Sequence, residues 1–279
     1  MFRVGVTGPP GAGKSSLLER LGNLAIEGGG RVAVLAVDPS SDQSGGSILG
    51  DKTRMEELSK NPSAYVRPTP SRGHKGGVAR NTADAAALCE AAGYNFLMVE
   101  TVGGGQADTA VADIVDLLML VLPPAGGDQL QGLKKGVVEV ADLLVVNKAD
   151  GEMKDVAEHS VGEYRAALSY LRPRSRHWLP QVLSCSARTG EGVRTVWEKA
   201  LEFREMMEGA GELELRRKGQ RKRLMWSTVK EAFEDRLRAD PDIQSKVLKL
   251  EREVLLGTLN PRLAAIDIAR SFFDSKQAC

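Results

Sequence analysis

The chain has 279 residues, of which 42% are hydrophobic and 27% charged, and a net charge of +1. That length allows one large domain or a domain with a smaller appendage, and the composition is that of a globular protein with an ample core. The balanced charge argues against a dedicated nucleic-acid binder, which would carry a basic footprint; the most apolar stretch, residues 114–125, is interrupted by Asp116 and too short to span a bilayer.

In chain order, short apolar runs at 2–6, 31–37, 64–67, 96–100, 117–122, 143–147 and 182–186 read as strands. Several are continuously apolar, as strands buried on both faces require. Helical patterns lie between them near 14–27, 76–92, 129–141, 155–171 and 190–207. The alternation predicts an α/β fold with a doubly wound, mostly parallel sheet over residues 1–208. No signal or transit peptide is read at the N-terminus, where residues 2–6 already form a core strand.

Residues 209–279 read as helix only. Gly209, Gly211 and a basic run (Arg216, Arg217, Lys218, Arg221, Lys222, Arg223) look like a solvated joint. Trp226, Val229, Phe233 and Leu237 share one helical face. Asp240 is placed to cap the next helix with Pro241 at its first position. Ile243, Val247, Leu250 and Val254 then recur at spacings of four and three, a stripe too brief for a free-standing coiled coil. It serves either packing on the neighbouring helix or dimerisation.

Gly8-Pro9-Pro10-Gly11-Ala12-Gly13-Lys14-Ser15 is a GxxxxGKS loop between a predicted strand and a predicted helix, the context the motif needs. Its glycines let backbone N–H groups converge on phosphates, aided by the helix N-terminus, where Ser16 follows. Lys14 is expected on the β and γ phosphates and the Ser15 hydroxyl on Mg²⁺. Asn147-Lys148-Ala149-Asp150 follows a buried strand as an NKxD motif. Asp150 can accept from guanine N1–H and the 2-amino group, donors that adenine lacks. Ser186-Ala187 matches a backbone loop closing over guanine O6. Three strand-end or loop acids, Asp38, Asp51 and Glu100, are candidates to hold Mg²⁺ or orient the attacking water, with Glu100 and Asp38 favoured. These residues predict a Mg·GTP-binding, GTP-hydrolysing protein. His74, His159 and His177 lack ligand spacing, and Cys89, Cys185 and Cys279 form no CxxC pair, which points to a reducing compartment.

The combination AVDPSS (36–41), GGSILGDKTRM (45–55), RPTPSRGHKGGVA (67–79), ETVGGGQ (100–106) and LQGLKKG (130–136) resembles the MeaB/ArgK-like P-loop GTPases from about residue 3 to 273. This resemblance implies a GTP-hydrolysing chaperone, slow alone and stimulated by its partner. It would gate adenosylcobalamin loading onto methylmalonyl-CoA mutase and protect or reactivate that enzyme. Adenosylcobalamin would be held only by partners, the mutase and cobalamin adenosyltransferase. The resemblance also implies a C-terminal helical dimerisation segment, hence a homodimer, in the cytoplasm or, in a eukaryote, the mitochondrial matrix. Asp38, Asp51 and Glu100 would surround Mg²⁺ and the hydrolytic water. Switches would cover 39–55, 101–109 and 123–135, the last ending in Lys134 and Lys135. The chain departs from the family in three places. It has no helical arm before the nucleotide loop. It has Gly103-Gly104-Gly105-Gln106-Ala107-Asp108 where the family has GVGQSE, and Gln129 where the family has an acid. Two competing readings are a nickel metallochaperone GTPase, which would want His-rich or Cys/His ligands that the sequence does not offer, and a kinase acting on a transport protein.

Overall fold

The computed structural model of the chain describes residues 1–38, 55–70, 77–101, 111–124 and 135–274, excluding the side chains of residues 38, 68–70, 77–80, 135 and 274. Seven strands form one sheet: β1 (Phe2–Thr7), β2 (Val32–Asp38), β3 (Ala64–Pro70), β4 (Phe96–Thr101), β5 (Leu117–Leu122), β6 (Leu143–Val146) and β7 (Gln181–Ser184). Their order is β3-β2-β4-β1-β5-β6-β7, and every neighbouring pair is parallel. The sequence LLMLVL of β5 is buried at all six positions, because parallel crossovers put helices on both faces.

The helices are α1 (Lys14–Glu27), α2 (Glu56–Lys60), α3 (Gly77–Ala91), α4 (Lys135–Val140), α5 (Lys154–Leu168), α6 (Val193–Gly209), α7 (Glu212–Ala239), α8 (Pro241–Leu255) and α9 (Pro261–Asp274). On one face of the sheet Leu17, Leu18 and Leu21 of α1 and Val196, Ala200 and Phe203 of α6 pack on Val4, Val6, Met98 and Met119. On the other face, α3 supplies Ala85, Ala86 and Cys89 against Leu35, Leu97 and Val99. Val161 and Tyr164 of α5 close over Leu144 and Val146. The short α2 was not anticipated. It buries Leu58 against α1, where Gly22 leaves room: a Cβ there would lie 2.7 Å from Leu58.

The chain divides into two compact units, Met1–Leu224 and Met225–Cys279. The expected change of character at 208/209 corresponds to the turn at Gly211 (φ 70°) between α6 and α7, and residues 209–224 belong to the first unit. The basic run is not simply solvated. Arg216 binds the Asp142 carboxylate through both terminal nitrogens (2.9 and 3.0 Å), and Arg217 binds Asp116 through Nε and Nη2 (2.8 and 2.6 Å). Both carboxylates are buried, so each needs a full-charge partner. Gln220 is also buried and donates to the carbonyls of Ala112 and Val115.

In the second unit Asp240 caps α8, accepting from the N–H groups of Asp242 and Ile243, with Pro241 at the first position as expected. Ile243 and Leu250 are buried, and the ion pair from Lys246 to Asp267 (2.8 Å) ties α8 to α9. The four-and-three stripe therefore packs on a neighbouring helix within the unit. Trp226, Phe233, Leu248, Leu255 and Leu263 stay exposed. Among the described residues no helix is long and apolar enough to cross a membrane.

Candidate functional site

β1 lies at the centre of the sheet and delivers the glycine loop to the carboxyl edge, where open α/β sheets place their ligands. Two glycines are sterically required. Gly8 has φ 143°, and a Cβ there would sit 1.9 Å from the Val121 carbonyl oxygen; at Gly13 (φ 87°) a Cβ would sit 2.4 Å from Asn147 Nδ2. α1 starts behind Gly13 with no side-chain cap, so its leading N–H groups remain directed at the loop. Lys14 is buried, and its ammonium donates to the carbonyls of Gly8 (2.9 Å) and Pro9 (3.0 Å), which holds the charge inside the loop.

Ser15 Oγ donates to Glu100 Oε1 at 2.7 Å. The register that pairs Val6 with Glu100 brings this carboxylate beside the loop, and a buried hydrogen bond from Thr101 Oγ1 to Thr7 Oγ1 (2.8 Å) fixes the same strand ends. A hydroxyl and a carboxylate oxygen at this separation are hard donors, suited to a small divalent cation that keeps most of its waters. Among the described residues no group of three or more His, Cys, Asp or Glu could hold a metal ion.

The opposite end is built around Asn147, which is 1% exposed. Its Nδ2 donates to the carbonyls of Ala12 (2.9 Å) and Gly13 (3.3 Å), and its Oδ1 accepts from the N–H of Ala187 (2.9 Å). One amide therefore joins the loop before α1 to the loop after β7. The Ala187 N–H, expected on guanine O6, is directed at this amide. Lys148 adopts φ 65°, the one described non-glycine residue with positive φ, and so turns the chain to present Asp150. Asp150 Oδ1 accepts from Ser186 Oγ at 2.6 Å, and its Oδ2 from Arg188. Arg20 of α1 donates to the carbonyls of Ala187 (3.2 Å) and Arg188 (3.4 Å). These elements bound a cleft of ≈ 820 Å³ lined by Gly13, Ser16, Asn147, Lys148, Asp150 and Ala187 among others.

Lys14, Ser15 and Glu100 therefore meet at one end, and Asn147, Asp150, Ser186 and Ala187 at the other. Asp38 ends β2 in the sheet, one residue beyond the level at which Val37 pairs with Thr101. Its side chain, Asp51, residues 39–54 of the first expected switch, 102–109 of the second and 125–134 of the third, and the Lys134 and Lys135 side chains lie outside the described residues. Arg20 and Arg188 were not anticipated. Arg188 directly follows Ser186-Ala187, and Arg20 lies one helical turn beyond Ser16 on the same face, so position along the motifs was the available signal. Cys185 is buried below the cleft, its Sγ 3.7 Å from Asn147 Oδ1, and desolvation pushes its thiol up to about 12.

The model of the family described as "Methylmalonyl Co-A mutase-associated GTPase MeaB" matches residues 1–242. The chain is 49% identical over 271 residues to the mitochondrial methylmalonic aciduria type A homolog of Mus musculus, covering 97% of this chain and 65% of that protein. It is 44% identical over 261 residues to the GTPase ArgK of Escherichia coli, covering 94% and 79% of the two chains. A crystal structure described as an LAO/AO transport system kinase superposes with a TM-score of 0.77 at 35% identity, over 98% of this chain and 82% of the other. The chain belongs to the MeaB family of GTPases.

Proposed function

We propose that this MeaB-family GTPase is a chaperone of methylmalonyl-CoA mutase. It binds Mg·GTP, hydrolyses it slowly alone and faster with the mutase, and uses the nucleotide state to gate adenosylcobalamin loading and to protect or reactivate the enzyme. The observation that carries the reading is a single joined site: Lys14 and the Ser15–Glu100 pair at one end, Asp150 held by Ser186 at the other, and Asn147 linking the two loops. The family's association with the mutase supplies the partner.

In this reading the N–H groups of the loop around Gly8, Gly11, Ala12, Gly13 and Ser16 cradle the phosphates, and Lys14 places its charge on the β and γ groups. Ser15 and Glu100 hold Mg²⁺, with Asp38 and Asp51 joining them or orienting the attacking water. When bound, the cation neutralises charge on the phosphate oxygens. Asp150 reads the N1 and 2-amino edge of guanine, Lys148 and Ser186 flank it, and Ala187 closes the base side with its N–H shared with Asn147. Residues 123–135, ending in Lys134 and Lys135, communicate with the mutase as a third switch. The helices from residue 209 onward mediate a homodimer, and the protein works in the bacterial cytosol or the mitochondrial matrix. Cobalamin adenosyltransferase is a further partner.

Single-turnover phosphate release from GTP and ATP, with and without purified methylmalonyl-CoA mutase, tests this reading. GTP should be preferred and the mutase should accelerate it. Equal use of ATP would refute the guanine assignment, and equal rates with and without the mutase would refute the partner. The solved relative described as a kinase motivates a second reading, transfer of phosphate to a protein side chain. Label found on a protein acceptor instead of in inorganic phosphate would favour it.

A further inference from the structure

A second concavity, of ≈ 330 Å³, shares no lining residue with the nucleotide cleft. It lies between α4, the end of α5 and the segment leading to β7. Its lining is aliphatic at Leu168, Leu171 and Leu179 and basic at Arg165, Arg172 and Arg174. Leu179 is 65% exposed. The sequence has no Asp or Glu between Glu163 and Glu191, although the chain as a whole is nearly neutral. The excess of positive charge is therefore local, and Glu139 of α4 is the one acid among the described residues lining the groove.

The segment is held rigidly. Ser175 is buried, and its hydroxyl accepts from the N–H groups of His177 (2.9 Å) and Trp178 (3.1 Å). The Trp178 indole donates to the Asp142 carbonyl at 2.9 Å and meets Phe203 edge-on at 5.2 Å. Pro173 and Pro180 fix two further backbone angles. Arg165 and Arg174 are positioned by backbone carbonyls, those of Val182 (2.9 Å) and Val140 (2.6 Å), and among the described residues no carboxylate lies within ion-pair distance of either. Desolvation, with Arg216 and Arg223 adding to it against Asp142 and Asp113, holds Arg174 below the usual arginine range. Among the described residues Arg172 and Arg176 have no hydrogen-bonded or ionic partner. A solvated loop needs neither this anchoring nor an exposed leucine between arginines, whereas a docking surface gains from both, because order present beforehand is not lost on binding.

We propose that this groove docks an acidic, apolar-tipped segment of the partner protein. An aliphatic or aromatic side chain fills the space over Leu168 and Leu179, and flanking carboxylates pair with Arg172, which lines the groove, and with the exposed Arg176, four residues further along the same segment. Each of these guanidinium groups can grip a carboxylate through two N–H donors. The inference rests on the mutase being the partner. A protein segment fits better than nucleic acid, because the described residues lining the groove offer the aliphatic Leu168, Leu171 and Leu179 and no aromatic face on which a base could stack. The groove also touches Val138 and Glu139 of α4, which starts directly after residues 125–134, and Arg174 holds the last carbonyl of that helix. An occupant thus bears on the helix that follows the proposed third switch.

Binding of the full chain to purified methylmalonyl-CoA mutase, followed by calorimetry at two salt concentrations, tests the proposal with the variants Arg172→Glu/Arg176→Glu and Leu179→Ser. These side chains support nothing else in the fold, so a fluorescent GTP analogue should bind both variants as it binds the parent. The double charge reversal should weaken mutase binding by roughly thirty-fold and flatten its salt dependence, and Leu179→Ser by about five-fold. Arg172→Lys/Arg176→Lys should recover part of the loss by restoring charge without the paired donors. Parent and variants binding the mutase equally would overturn the groove and leave the partner standing. No binding by the parent would overturn both. A single-stranded oligonucleotide whose binding the charge reversal abolishes, while mutase binding is the same in parent and variant, would overturn the proposal in favour of nucleic acid.

Discussion

Replacing Asn147 by alanine should damage stability and nucleotide binding together. The side chain is 1% exposed and satisfies partners from two loops: the carbonyls of Ala12 and Gly13 through Nδ2 and the N–H of Ala187 through Oδ1. Truncation to the methyl group strands at least one buried acceptor, at Ala12, and one buried donor, at Ala187. A stranded buried group costs about 1–3 kcal/mol, so the two together should cost about 2–6 kcal/mol in unfolding free energy. Urea denaturation measures it directly. The same amide fixes the distance between the phosphate loop and the base loop, so GTP affinity should fall by at least about tenfold as pre-organisation is lost. Asn147→Asp separates the two halves of the contact. It keeps an acceptor for Ala187 but turns a carboxyl oxygen toward two carbonyls, so it should be no better than alanine. An Asn147→Ala protein with parental stability and parental GTP affinity would refute the account of the site as two loops joined by one side chain.

Asp150→Asn should weaken GTP by roughly a hundredfold and favour xanthosine triphosphate, since two hydrogen bonds to a charged group are replaced by mismatched partners; unchanged GTP affinity by calorimetry would remove the guanine assignment. A chain ending at Glu208 lacks Arg216 and Arg217 and should lose about 3–5 kcal/mol for each buried pair broken, whereas one ending at Leu224 keeps both pairs and should fold and bind GTP. Urea curves of equal midpoint for the two truncations would refute this, and light scattering on the longer one tests whether the later helices carry the dimer. Cys185 has its folded thiol raised to about 12 from an ordinary 9, so its contribution to stability is present below pH 9 and lost as pH rises from 9 toward 12. The stability of the parent relative to Cys185→Ala should accordingly fall by about 1.4 kcal/mol per pH unit above 9, and a flat difference would contradict the burial of the thiol.

The fold and the nucleotide motifs were legible because both are written locally. Continuous apolar runs such as LLMLVL predict a strand covered on both faces, and glycines at Gly8 and Gly13 are demanded by atoms immediately around them. The joining of the motifs was not legible. Nothing near Asn147 in the sequence says that its amide reaches across 135 residues to Ala12, because that contact depends on β1 and β6 lying two places apart in the sheet. Arg188 was missed for a related reason. Its partner Asp150 is 38 residues away, and the two meet only where the loops after β6 and β7 converge. The short α2 escaped because five residues carry too little periodicity to register as a helix.

The arginines of α7 make the same point at the other edge of the sheet, and there the sequence misleads. Six basic residues within eight positions look like a solvated stretch, yet two of them neutralise the acids that immediately precede β5 and β6. Asp116 and Asp142 each also accept a backbone N–H, from Arg3 and Leu118, at 2.9 Å. A carboxylate at the amino end of a parallel strand can thus fix the entry of its own strand and anchor a helix that arrives 74 or 101 residues later. Once both carboxylates are buried, the helix is no longer optional, because removing the guanidinium leaves a charge that water cannot reach. The division between units therefore falls within α7, after the last residue that the sheet requires, and not at the glycine turn where composition changes. Where a helix begins follows from its local sequence; which unit it belongs to follows from the charges it must neutralise.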